Sequence, residues 1–108
     1  MVELSDVEAG LLYLSQTDEQ FGLSKARMLA CKERLKVTLA VAYLEVKDGS
    51  VRSRDAQALV SLQDRRQLEE YEDSIAEYET IRAKRLRYEL TIEVWRSLNS
   101  ARSKGVMT

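Results

Sequence analysis

A chain of 108 residues with formal net charge −1 and no histidine has the length of one small domain and lacks the commonest general base and metal ligand. It carries one cysteine, Cys31, so an intrachain disulfide is excluded and a zinc site is not expected. No Gly-rich phosphate loop, dinucleotide fingerprint or nucleophile elbow occurs, so neither an enzyme nor a cofactor is expected. There is no run of about 18 apolar residues and no signal-peptide layout, which leads to the expectation of a soluble, intracellular protein without a membrane partner.

Ser5-Asp6-Val7-Glu8 has the spacing of a capping box, with Val7, Leu11 and Leu14 on one stripe behind it. This predicts a short first helix from Asp6 to Ser15. Thr17-Asp18-Glu19-Gln20 reads as a second capping box, opening a long helix to Lys47. Phe21, Met28, Cys31, Leu35, Leu39, Ala42 and Val46 mark its apolar stripe. From Val37 to Val46 the apolar residues surround the axis, which predicts burial on several sides. Val37, Val41, Tyr43 and Leu44 are therefore the candidate oligomer interface.

Asp48-Gly49-Ser50 is the clearest turn, and Ser53 is the candidate N-cap of a short helix from Arg54 to Leu62. The segment from Asp64 to Ser103 has neither Gly nor Pro, which predicts a helix of about 60 Å at about 1.5 Å per residue. In it Leu68, Tyr71, Ile75, Tyr78, Ala83, Leu86, Leu90, Val94, Leu98 and Ala101 recur at a mean of about 3.67 residues, an 11-residue rhythm that disfavours a long left-handed coiled coil. Ile81, Tyr88, Ile92 and Trp95 form a second stripe, so the distal half of this helix is expected to be buried on two faces. Gly105 is the expected end of the helix.

The resulting expectation is one all-α domain over residues 1–108: an antiparallel hairpin of two long helices (17–47 and 64–103) with a short N-terminal helix and a short connecting helix. So elongated a hairpin exposes much apolar surface, and oligomerisation is the usual remedy.

Charge is segregated along the chain. Residues 1–24 contain five acids and no base, and Lys25, Arg27, Lys32, Arg34 and Lys36 then face one acid, Glu33. Arg52 and Arg54 flank the turn, six acids occupy the stretch 67–81, and Arg82, Lys84, Arg85 and Arg87 follow. Such basic patches either track a nucleic-acid backbone, pair with acids on packed helices, or simply solvate the surface. Trp95 and Tyr88 are read as core residues rather than base-stacking platforms, and Cys31 as a small buried filler.

The order of features resembles the UvsY-type recombination mediators of bacteriophages. The resemblance is carried by a helix ending in Tyr43-Leu44-Glu45-Val46-Lys47-Asp48-Gly49, the polar segment Ser53-Arg54-Asp55, and a long helix closing on Leu90-Thr91-Ile92-Glu93-Val94-Trp95-Arg96-Ser97-Leu98 before Ser103-Lys104-Gly105. It implies an oligomer in the cytoplasm of a bacterial host that binds single-stranded DNA and helps load a recombinase onto strands covered by single-strand-binding protein. The stretch Ala40-Val41-Ala42-Tyr43-Leu44, basic in T-even members, is wholly apolar here. The expected DNA contacts accordingly fall on Lys25, Arg27, Lys32, Arg34, Lys36, Arg52 and Arg54. The alternative reading is a helical protein–protein adaptor or phage assembly scaffold that binds no nucleic acid.

Overall fold

The computed structural model describes residues 2–45 and 65–106, and all of its regular structure is helical. Helix α1 runs Leu4–Glu45 and helix α2 runs Arg66–Val106, 42 and 41 residues long. The two long helices expected from the sequence are present and pack against each other antiparallel, and there is no strand among the described residues. The turn at 48–50, the short helix at 54–62, and the cap at Asp64 lie outside the described residues.

The separate N-terminal helix expected over 6–15 is not formed, because α1 continues unbroken through Ser15 and Thr17. A capping Thr would accept a bond from the following turn. Here the Thr17 hydroxyl donates back to the Tyr13 carbonyl at 2.7 Å and accepts from Arg85 Nη1 at 2.8 Å. Both functions of the hydroxyl are met in helical geometry, and nothing pulls the backbone out of it. The true N-terminal cap also sits two residues earlier than Ser5. The Glu3 N–H donates to Asp6 Oδ2 at 2.8 Å, while the Glu3 carbonyl accepts from the Asp6 N–H. That is the reaching-back half of a capping box. At the other end of the chain α2 passes through Gly105 and stops at Val106.

The chain forms two compact units, one of Met1–Leu23 with Glu79–Thr108 and one of Ser24–Tyr78. In the first, the packed face of α1 is Val7, Gly10, Leu14, Thr17 and Phe21, and that of α2 is Ile81, Arg85, Tyr88, Ile92 and Trp95. In the second they are Ser24, Met28, Cys31, Leu35, Thr38 and Ala42 on α1, and Gln67, Tyr71, Ser74 and Tyr78 on α2. Every step within these sets is three or four residues in alternation, the spacing of a coiled-coil seam.

This corrects the 11-residue rhythm expected for α2. The stripe of Ile81, Tyr88, Ile92 and Trp95 is the packed one, and Leu86, Leu90, Val94 and Leu98 are left exposed. The heptad is hidden in the sequence because two of its positions are polar. Ser74, only 1% exposed, donates to the Tyr71 carbonyl at 2.6 Å, and Arg85 fills the position between Ile81 and Tyr88. Gly10 completes the first unit's seam by letting α2 come close. A Cβ there would stand 3.1 Å from Tyr88 Cδ1, tighter than most real contacts.

Candidate interaction surfaces

Arg85 is the most constrained charged side chain in the first unit, at 13% side-chain exposure. Its guanidinium donates to the Leu14 carbonyl at 2.9 Å, to Thr17 Oγ1 at 2.8 Å and to Asp18 Oδ1 at 2.7 Å. It also lies over the Phe21 ring, 4.9 Å from the centroid. Nε is buried without a partner. Beside it in α2, Lys84 Nζ sits 4.7 Å above the Tyr13 ring, which in turn lies 5.0 Å from that of Tyr88. This cluster uses its charge inside the unit. Of the basic run 82–87, Arg85 pairs with Asp18 of α1 and Arg82 with Glu79 of its own helix at 3.4 Å.

The acidic stretch finds other partners. In the second unit Arg27 pairs with Glu77 at 2.6 Å and Arg34 with Glu70 at 3.3 Å, while the Thr38 hydroxyl bonds Gln67 Oε1 at 2.6 Å. All four charged residues sit just outside the seam, where heptad sequences place interhelical ion pairs. Two of the five candidate DNA-binding residues on α1 thus already hold a carboxylate. Lys36 lies 3.7 Å from Glu33 on its own helix. Lys25 and Lys32, seven residues apart and exposed, make no ion pair among the described residues. Arg52 and Arg54 are outside the described residues.

Among the described residues, two apolar surfaces stand out. In the first unit an open groove of about 530 Å³ is lined by Leu11, Leu14, Leu86, Leu90 and Ile92 together with Glu89, Glu93 and Arg96. In the second unit the candidate interface residues Val37, Val41 and Leu44 line the outer side of α1, with Leu44 79% exposed, while Tyr43 is half-buried. Sequence reasoning placed the second surface and missed the first, because it assigned Leu86 and Leu90 to the packed stripe. The signal that separates them is the alternating three-four spacing through Arg85.

Comparisons with protein-family models, curated proteins and solved structures found no match. No described helix is long and apolar enough to cross a membrane.

Proposed function

We propose that this chain is a helical protein–protein adaptor or assembly scaffold, with no catalytic role, that acts by offering outer helix faces to other helices, those of its own copies included. The observation that carries this reading is the row Val37, Val41 and Leu44, whose side chains are 61, 49 and 79% exposed. Their i, i+4, i+7 spacing is that of a helix that docks by its apolar face. Contiguous exposed apolar side chains of this kind mark interaction sites. Light scattering over a micromolar concentration series tests the self-assembly this implies. The expected mass is a multiple of 12.4 kDa, and Val41→Asp should return it to a single chain, because an uncompensated buried charge costs several kcal/mol. A folded wild type that stays at single-chain mass at every concentration overturns self-assembly.

A second reading is the single-stranded-DNA-binding mediator, working in the bacterial cytoplasm with a recombinase. Its support is the pair Lys25 and Lys32, which no carboxylate neutralises among the described residues. Arg27 and Arg34 contribute to it only if phosphate displaces Glu77 and Glu70. Fluorescence anisotropy with labelled oligo-dT decides: Lys25→Glu with Lys32→Glu should weaken binding and lower the salt slope by roughly 0.7 for each phosphate no longer neutralised. Absence of binding by the wild type at low salt removes this reading.

A further inference from the structure

We infer that the second unit opens along its own seam without global unfolding of the chain, and that each opening releases Arg27 and Arg34 from Glu77 and Glu70. The inference does not depend on what the chain binds.

The cost of parting two helices rises with the apolar area that parting exposes to water. In the second unit the three most buried side chains are all small: Ser74, Ser24 and Cys31, at 1, 4 and 6% exposure. The Ser74 hydroxyl donates to the Tyr71 carbonyl of its own helix, a bond that persists when the helices part. The larger seam residues, Met28, Leu35, Tyr71 and Tyr78, are half-buried while the helices are paired. Parting therefore uncovers less of each than it would of a fully buried side chain. Among the described residues, the second unit buries no aliphatic of the size of Ile81 or Ile92 in the first.

The polar contacts across this seam also resist parting weakly. Arg27 with Glu77 and Arg34 with Glu70 are exposed pairs, already reached by water and salt, so both partners are solvated once the pair breaks. The Thr38 bond to Gln67 is exchanged for bonds to water in the same way. The first unit is held differently, because Arg85 makes three bonds to α1 from a largely buried position.

Opening changes the charge that α1 displays. In the paired state two of the five bases from Lys25 to Lys36 are held by carboxylates of α2. In the open state Arg27 and Arg34 are free, and Glu33 is the one acid left in that stretch. A partner that takes either arginine draws the unit open in proportion to its preference for the open form.

Cys31, the single cysteine and 6% exposed in this seam, reports the open fraction through its rate of labelling by dithionitrobenzoate. The full chain is used without denaturant, at reagent concentrations where the rate rises in proportion to reagent. Glu70→Gln with Glu77→Gln should speed labelling about 2- to 30-fold, the range for loss of two exposed pairs. Ile92→Ala, in the first unit, should leave the rate within about twofold of wild type while lowering the urea midpoint. If Cys31 is reached only by global unfolding, Ile92→Ala instead speeds labelling by the factor its lost stability implies, at least about 30-fold for a buried Ile to Ala. That result overturns the inference. So does an unchanged rate in the glutamine variant, since the pairs then do not break when the thiol is uncovered. Should Ile92→Ala lose its helix signal by circular dichroism, Ile92→Val replaces it, with a global-unfolding expectation of about 2- to 13-fold.

Discussion

In the first unit the pairing of α1 with α2 is held by large side chains and one buried fork, Ile81 and Ile92 in the seam with Arg85 reaching Leu14, Thr17 and Asp18. In the second unit the most buried side chains are small, Ser24, Cys31 and Ser74, and the specific interhelical bonds lie at the edge, from Arg27 to Glu77 and from Arg34 to Glu70. Seam spacing is the same in both. What differs is where the polar specification is placed: inside the seam in the first unit, outside it in the second. A buried fork has few geometries in which its donors are met, whereas exposed pairs are screened by solvent and tolerate slippage. The first unit should accordingly dominate the choice of register, and the second should respond more to salt.

The largest expected effect comes from the apolar half of the first unit. Ile92→Ala removes a side chain only 7% exposed and should cost about 2–5 kcal/mol, the range for buried Ile or Leu to Ala. Urea unfolding followed by circular dichroism measures it. A cost below about 1 kcal/mol would mean that the seam collapses onto the gap and that Ile92 carries little of the packing.

Arg85→Leu sharpens the comparison differently. Arg85 brings a charge into the seam and leaves Nε unpartnered. Replacing such a group with an apolar side chain of similar reach is often neutral or stabilising by about 1–4 kcal/mol. The midpoint of unfolding should therefore hold or rise. Register should loosen at the same time, because the three bonds to α1 that distinguish this alignment from one shifted by a heptad are gone. Engineered cysteines at Gly10 and Tyr88, whose atoms approach within 4 Å of a built Cβ in the native alignment, report it by disulfide yield in the Cys31→Ser background. An unchanged yield in the Arg85→Leu chain assigns register to the apolar side chains instead.

These two substitutions also mark what the sequence could and could not disclose. The helices were legible because breakers are almost absent, and the stripe from Phe21 to Ala42 was legible because its apolar members outnumber its polar ones. The α2 seam was legible in its apolar members Ile81, Tyr88, Ile92 and Trp95 but not in its polar ones, Ser74 and Arg85, nor in the exposure of Leu86, Leu90 and Val94 on the other stripe. Apolar periodicity identifies a face capable of burial, and α2 has two such faces. Which one α1 covers is decided by partners far away in sequence: the absence of a side chain at Gly10, the hydroxyl of Thr17 and the carboxylate of Asp18. The same long-range matching explains the candidate basic strip. Its residues were legible as a run, but the pairing of Arg27 and Arg34 with Glu77 and Glu70 depends on a register that no local pattern carries.

The smallest expected effect belongs to those edge pairs. Arg27, Glu77, Arg34 and Glu70 are all between about two fifths and three fifths exposed, and exposed pairs contribute about 0.2–1 kcal/mol each. Glu70→Gln with Glu77→Gln should thus lower stability by less than about 2 kcal/mol in low salt, and the difference from wild type should shrink as salt rises toward 1 M, where the screening length falls to about 3 Å. The substitution also frees Arg27 and Arg34. If those residues belong to a nucleic-acid surface, the doubly neutralised chain should bind labelled oligo-dT more tightly than wild type, with a steeper salt slope. If they serve only the pairing of α1 with α2, anisotropy stays flat while stability falls. One variant therefore reads both roles, and opposite outcomes in the two measurements separate an edge lock from a masked basic strip.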